Sequence, residues 1–451
     1  MKNHDKKVKI ILEENEIPDS FYNIQPDLKE YLGELPAPPL NPKTREPIRA
    51  DEMFALFPEE QVRHEMSMES YIKIPDPLLD LYRLYRPTPL IRARRLEEYL
   101  KTPAKIFFKY EGGSPTGSHK GNAALAQAYY NKAQGIKRLT TETGAGQWGS
   151  ALAMAARFFD LKLTVYMSRV SHEQKPGREI LMNMFGAQVF SSPSQNTEVG
   201  RKLAAGEKVN YIGSLGVSIS EAIEDAITHP GTKYALGSVL NSVLMYQTVI
   251  GQEAKKQLEK INLYPDIIIG CCCGGGSNLS GIAFPFVKDK ISGENPGLRI
   301  IAVEPTECPS LTKGDYRYDS GDTIGLTPLL MMYTMGKGFI PPGIHAGGLR
   351  YHGDAPLVCF LYDKGLMEAV AYPQIEPLKA GLLFSHLEGI IPAPESNYAI
   401  KAAIDEAVKC RDRKEEKIIL FNLSGHGLLD LAAYKELLEG KLGDQKLKGQ
   451  Y

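Results

Sequence analysis

From Arg86 onward, short apolar runs of strand type alternate with longer runs of helix type, and no other feature restricts the fold as much. The strand-type runs lie at 107–110, 138–142, 163–167, 188–190, 267–271, 299–303 and 417–421. Helix-type runs separate them at 122–133, 149–158, 173–185, 219–228, 242–260, 397–408 and 428–437. Strands joined through helices run parallel, because the intervening helix carries the chain back to the end it left. The pattern therefore predicts an α/β chain with mostly parallel twisted sheets covered by helices on both faces. At 451 residues it exceeds one comfortable core, which predicts two three-layer αβα domains.

The first 80 residues read differently: proline and charge crowd stretches such as Leu35-Pro36-Ala37-Pro38-Pro39-Leu40, and periodicity is weak. We expect an N-terminal arm (1–80) that wraps another surface, such as a second subunit, with disorder as the competing reading. An N-terminal α/β domain (81–232) and a C-terminal α/β domain (233–451) follow, with the segment near 86–118 packing into the second. The net charge of -1 argues against nucleic acid or an anionic membrane as main partner, since both reward basic excess. Six cysteines, three of them consecutive at Cys271-Cys272-Cys273, form no disulfide framework in a chain this long. Neighbours on a strand face opposite ways, so this run closes no zinc site; we expect small buried thiols in a reduced, cytoplasmic protein without a metal centre. The N-terminus carries only a short apolar stretch before Glu13-Glu14 and does not read as a signal peptide. Residues 234–250, with Asn241, Ser242 and Gln247 inside, read as one buried helix and not as a membrane span.

Ligands of open α/β sheets bind at the carboxyl ends of the strands, and glycine clusters stand there. Lys120, in Ser118-His119-Lys120-Gly121-Asn122, sits at a predicted helix start, where the helix dipole disfavours a cation. Condensation of its amine with an aldehyde to a Schiff base would remove that charge; the alternative is an exposed lysine with its head in water. Gly112 and Gly117 have the spacing of a P-loop, but Ser118-His119-Lys120 follows them in place of Lys-Ser/Thr, so a nucleotide is rejected. Gly274-Gly275-Gly276-Ser277-Asn278 brings backbone N–H groups together ahead of a helix, which suits a phosphate; a plain turn is the alternative. With no lysine or arginine inside it, the loop fits a permanently held monoester better than a nucleotide being hydrolysed.

In Glu142-Thr143-Gly144-Ala145-Gly146-Gln147-Trp148 the backbone amides can cradle a carboxylate in the same way. Partial burial would raise the pKa of Glu142 toward a useful acid/base value, whereas a surface glutamate capping a turn would do nothing chemical. Trp148, the only tryptophan, is a core residue by default and a pocket wall by the bolder reading. Ser424, in Leu423-Ser424-Gly425-His426-Gly427, offers a neutral hydroxyl to a heterocyclic nitrogen, or else an ordinary helix cap. An amine, a phosphate cradle, a carboxylate cradle, an acid and a neutral hydroxyl together fit pyridoxal phosphate holding an amino acid, with Lys120 as the Schiff base. A neutral partner on the pyridine nitrogen tempers the electron sink, so elimination and replacement at the β-carbon should outcompete transamination.

Through His119-Lys120, Glu142-Thr143-Gly144-Ala145-Gly146-Gln147, Gly274-Gly275-Gly276-Ser277-Asn278 and Leu423-Ser424-Gly425, the chain resembles the tryptophan synthase β chains of the fold-type II pyridoxal phosphate enzymes. The likeness runs from Arg86-Pro87-Thr88-Pro89-Leu90 to Asp430, and the long arm and Trp148 resemble the second, longer class. The resemblance implies pyridoxal 5'-phosphate in the cleft between two domains, with L-serine and indole giving L-tryptophan and water; a monovalent cation is left open. It implies that Lys120 carries the cofactor and the Cα proton. His119 and Gly274, Gly275, Gly276 and Ser277 would surround the phosphate, and Gln147, Ser218, Asn278, Glu395 and Ser424 would touch the cofactor. Glu142 would protonate the leaving hydroxyl and then handle the proton lost as indole adds. Thr143, Gly144, Ala145, Gly146 and Gln147 would hold the serine carboxylate, with Trp148 and Arg350 on the substrate side.

Two departures bear on closure: Arg350 stands where the common class has an aspartate, and His426-Gly427-Leu428 replaces an arginine–glycine–aspartate run. We therefore expect a homodimer that uses free indole, with weak or no α-subunit complex. The rivals are a serine or threonine dehydratase, a β-replacement enzyme using sulfide or O-phosphoserine, and a non-catalytic binding protein that kept the fold.

Overall fold

A computed structural model of the chain describes residues 7–206 and 213–442, so the first six residues of the arm lie outside the described residues. The early strands are β1 (Lys9–Ile10), β2 (Ser20–Tyr22), β3 (Tyr71–Lys73), β4 (Leu90–Arg92) and β5 (Lys105–Tyr110). Then come β6 (Arg138–Thr143), β7 (Lys162–Ser168), β8 (Gln188–Ser192), β9 (Thr232–Ala235) and β10 (Ile267–Cys271). The last are β11 (Arg299–Pro305), β12 (Asp315–Ser320), β13 (Leu329–Thr334), β14 (Glu368–Tyr372) and β15 (Ile418–Leu423).

Two sheets organise the chain: seven strands in the order β1-β4-β5-β15-β10-β11-β14, and four in the order β8-β7-β6-β9. All neighbours from β5 to β14 run parallel, as do those of the smaller sheet, while β1 and β4 form an antiparallel edge. Ile267, Ile268 and Ile269 show why: β10 is buried throughout, and a strand covered on both faces accepts an unbroken β-branched run. β4 and β5 belong to the larger sheet although the smaller one intervenes in sequence, so the chain crosses between sheets twice. The expected boundary between 232 and 233 falls inside β9, which pairs with β6 in the smaller sheet.

Several expectations need correction. The stretch 234–250 is not one helix: it finishes β9, turns through Gly237 and Ser238, and becomes helical only at Asn241–Tyr246 and Val249–Glu259. The helix expected at 173–185 is interrupted at Pro176, which has no N–H to continue it and instead opens Pro176–Met184. β14 and the β12–β13 hairpin were not evident, since their charged and tyrosine-rich residues hide the period-2 pattern. The described part of the arm is ordered and covers this same chain: β1 extends the larger sheet, Tyr22 N–H donates to Thr248 Oγ1, and Phe21, Leu28 and Leu78 join the core. Among the described residues no helix is long and apolar enough to cross a membrane.

Behind the larger sheet lies a fully buried ionic cluster. Glu253 accepts from Arg86 Nε at 2.8 Å, Lys109 Nζ at 2.7 Å and Thr88 N at 3.0 Å. Arg86 also donates to Glu111 at 3.0 Å, which ties β5 and the turn before β4 to the helix Val249–Glu259.

Candidate active site

Lys120 caps the N-terminus of the helix Gly121–Ala133, a segment whose alanines let it lie buried along most of its length. Its Nζ donates to Gly237 O and to Ser277 Oγ, both at 2.7 Å. The residue opens partly onto a cavity, yet desolvation brings its pKa down to about 8, against the opposing pull of Glu142 and Glu395. His119 Nε2 lies 3.2 Å from Ser277 Oγ; burial and the neighbouring Lys120 push its pKa well below the ordinary value, so the imidazole is neutral.

The triple glycine runs through φ of 114°, 94° and 83°, a region L-residues avoid, directly ahead of the helix Ser277–Ile291. Side chains are excluded as well: a Cβ on Gly274 would overlap Gly348 O, and one on Gly275 would stand 2.5 Å from Ser238 Oγ. The backbone can thus approach a phosphate at a helix N-terminus. A cavity of about 360 Å³ opens there, lined by His119, Lys120, Gln147, Gly274, Gly276, Ser277, Asn278, Glu395 and Ser424. Asn278 accepts from Asn422 through Oδ1 while its buried Nδ2 has no partner within the protein. Glu395 is held by Gln147 Nε2 at 3.0 Å and Gly348 N at 2.9 Å, and Ser424 Oγ pairs with Ser396 Oγ at 2.8 Å. A buried amine of lowered pKa, a side-chain-free anion loop and an unsatisfied amide around one cavity fit pyridoxal phosphate.

A larger cavity, about 1030 Å³, adjoins it and shares Lys120, Gln147, Gly274 and Gly348. Glu142, near the end of β6, faces it; burial raises its pKa to about 7 despite hydrogen bonds that favour the ionised form. Thr143, Gly144, Ala145 and Gln147 line the same space at the start of the helix Gln147–Phe158, and Thr143 Oγ1 accepts from Gly149 N. Trp148 is both core and wall: its Nε1 donates to Thr141 Oγ1 at 2.6 Å and its ring packs on Gly237. Ile219, Ile223, Leu330 and, from the arm, Met53 and Phe57 complete an apolar chamber.

Four candidates line neither cavity, Gly275 among them, whose open side is filled by Ser238 and Val239. Ser218 is buried but its hydroxyl turns to Ser168 and to Ser214 O, because its helix presents Leu215 and Ile219 to the chamber instead. Arg350 donates to Pro341 O and Pro342 O, and burial lowers its pKa to about 10; the neighbouring Gly348 and Tyr351 face the chamber in its stead. Gly146 packs against Arg178 below the carboxylate loop. Sequence reasoning missed Tyr234, Gly237 and Ser238, which follow from β9; the signal was a fourth strand-end glycine loop, hidden inside a presumed helix. The six cysteines are free and buried, and burial pushes Cys271 up to about 12. Cys272, Glu304 and Asp354 cluster closely; Glu304 accepts from Leu311 N, Thr312 N and the Thr312 hydroxyl, and Asp354 Oδ2 accepts from Ser310, while the buried Asp354 Oδ1 has no partner among the described residues.

Comparison with known proteins agrees with this chemistry. Residues 81–425 match the family of pyridoxal-phosphate dependent enzymes. The chain is 58% identical over 438 residues to tryptophan synthase beta chain 2 of Aquifex aeolicus, covering 97% of this chain and 100% of that one. It is 54% identical over 442 residues to the protein of that name from Pyrococcus furiosus, covering 98% and 97%. Among solved structures, an L-serine ammonia-lyase from Rhizomucor miehei superposes with a TM-score of 0.58 at 16% identity, over 78% of this chain and 97% of that one. A threonine deaminase from T.th. superposes with a TM-score of 0.55 at 18% identity, over 77% and 96%; at such identities the likeness speaks for the fold alone. A lysine at a helix start beside a triple-glycine loop, in a chain this similar to those relatives, makes the protein a member of the tryptophan synthase beta chain family of pyridoxal-phosphate dependent lyases.

Proposed function

We propose that this chain condenses L-serine with indole to give L-tryptophan and water. One observation carries the reading: Glu142, with a pKa near 7, faces an apolar chamber that also holds Lys120 and the carboxylate loop. Bound in the smaller cavity, pyridoxal phosphate supplies an electron sink for breaking the Cα–H and Cβ–O bonds. His119, Gly274, Gly275, Gly276, Ser277 and Asn278 would hold its phosphate end, with Ser424 and Glu395 along the ring and Lys120 Nζ as the attachment.

Among the residues lining the two cavities Lys120 is the only lysine, so its Nζ is the base placed to take the Cα proton. The amides of Thr143 to Gln147 orient the serine carboxylate at a helix N-terminus. Protonated Glu142 gives its proton to the departing hydroxyl; ionised Glu142 then receives the proton that the acceptor carbon releases. Each positioned proton transfer contributes about 10²–10⁴-fold. Trp148, Ile219, Ile223 and Phe57 suit a flat bicyclic acceptor and exclude water from it. Because Glu142 titrates near 7, hydroxyl departure slows as pH rises through that value, and acceptor deprotonation slows as pH falls through it.

The finer reading is a cytoplasmic homodimer that draws indole from solution and binds an α subunit weakly or not at all. Arg350, turned to two proline carbonyls and away from any carboxylate, supports the absence of the common closing contact. Six buried thiols support a reduced compartment.

The test is Glu142→Gln. The variant should bind cofactor with an unaltered absorption spectrum and lose indole turnover by about 10²–10⁴-fold, with L-serine or O-phosphoserine as donor. Wild-type indole turnover in this variant would remove Glu142 from the reaction. A wild-type spectrum that does not respond to serine at all would instead mark a binding protein.

A further inference from the structure

We infer that Tyr234 is a positioning residue that decides which oxygen of Glu142 carries the mobile proton, an inference that rests on the acid/base role proposed for Glu142. The Tyr234 hydroxyl donates to Glu142 Oε2 at 2.5 Å. Oε1 receives only a long bond, 3.4 Å, from Gly237 N. Both side chains line the larger cavity. Burial and the nearby carboxylates push the Tyr234 pKa well above its ordinary value, so the phenol keeps its proton throughout the working range. It donates and does not deprotonate. Turning the hydroxyl away would strand a buried donor, which is costly. Oε2 is thereby held as an acceptor, and the proton that Glu142 exchanges with substrate resides on Oε1.

The tyrosine is itself fixed by the N-terminal arm. Tyr234 N donates to Leu56 O at 2.9 Å, the Phe57 ring lies 5.9 Å from the Tyr234 ring, and the adjacent Lys233 donates to Phe54 O. Besides lining the chamber with Met53 and Phe57, the arm thus bears on Glu142 through one hydroxyl. The other groups that act on Glu142 cannot substitute. Lys120 acts through its charge, with its amine on Gly237 O and Ser277. Tyr351, across the cavity, spends its hydroxyl on Gly321 O, and Asp322, beside both tyrosines, is held by Ser220 and Thr327.

Two variants read the role: Tyr234→Phe, and 3-fluorotyrosine introduced at 234 alone. Loss of the donor disfavours the carboxylate, so the acid limb of indole turnover should move up by about one pH unit in Tyr234→Phe. The fluorinated phenol is a stronger donor and should move the limb down. In Tyr234→Phe, kcat should fall by about 10-fold while the KM for serine and the cofactor spectrum stay as in the wild type. Opposite movements cannot arise from loosened packing, and 3-fluorotyrosine keeps the test alive should Tyr234→Phe fold poorly. Limbs that stay in place in both variants, with Glu142→Gln still inactive, overturn the role of Tyr234 alone. Full indole turnover in Glu142→Gln would instead remove the acid/base reading beneath it.

Discussion

Lys120→Ala should yield a colourless protein whose tryptophan formation falls by about 10⁴-fold or more, because one substitution removes both the proposed cofactor attachment and the proposed Cα base. The side chain's surroundings make the effect specific. Its Nζ already bridges Gly237 O and Ser277 Oγ, so a truncated residue leaves two acceptors and a void where the amine stood. Its pKa near 8 adds a pH signature. Condensation with an aldehyde needs the neutral amine, so covalent reloading of stripped protein should slow as pH falls through that value. Visible absorption, and peptide mass after borohydride reduction, check both statements. Cofactor trapped at another lysine in the Lys120→Ala protein would sink the assignment.

The second large effect is on stability. Glu253→Ala should cost about 3–5 kcal/mol, since it leaves Arg86 and Lys109 in the interior with only Glu111 between them. The cost comes less from the lost attraction than from two cations stranded without solvent. Burial already lowers the Lys109 pKa, with Glu253 opposing the shift. Without Glu253 the folded-state pKa drops further below the unfolded value, so the folded form increasingly prefers a neutral lysine. Stability of the variant should then rise as pH increases through the folded-state pKa toward the unfolded one, a slope the wild type shows less. Thermal melting from neutral to alkaline pH measures it. A melting midpoint equal to the wild type at every pH would show the cluster to be dispensable.

How far the site could be read from residues alone depended on what kind of signal each residue carried. Lys120, Glu142 and Gly274 to Asn278 announced themselves because a helix start, a strand end and a run of glycines are local patterns with local physical causes. Tyr234 carried no such mark. Its place beside Glu142, 92 positions away in sequence, comes from β9 lying next to β6 and from the arm behind it. Ser218 came only from the family resemblance, and the rotation of its helix gives its hydroxyl to Ser168 and Ser214 and leaves it off both cavity walls. Arg350 was legible as unusual, whereas its partners, two carbonyls nearby on the same loop, were not.

Composition and periodicity thus settled the fold class and the parallel strands, and local motifs singled out the candidate lysine and the glycine loop, since each follows from a preference expressed within a few consecutive residues. Tertiary structure alone decided that the arm folds onto its own chain, that β4 and β5 join the later sheet, and that the Tyr234 hydroxyl meets Glu142. Those outcomes depend on surfaces that meet only after the chain has crossed between its two sheets, and a local pattern holds no record of a distant neighbour.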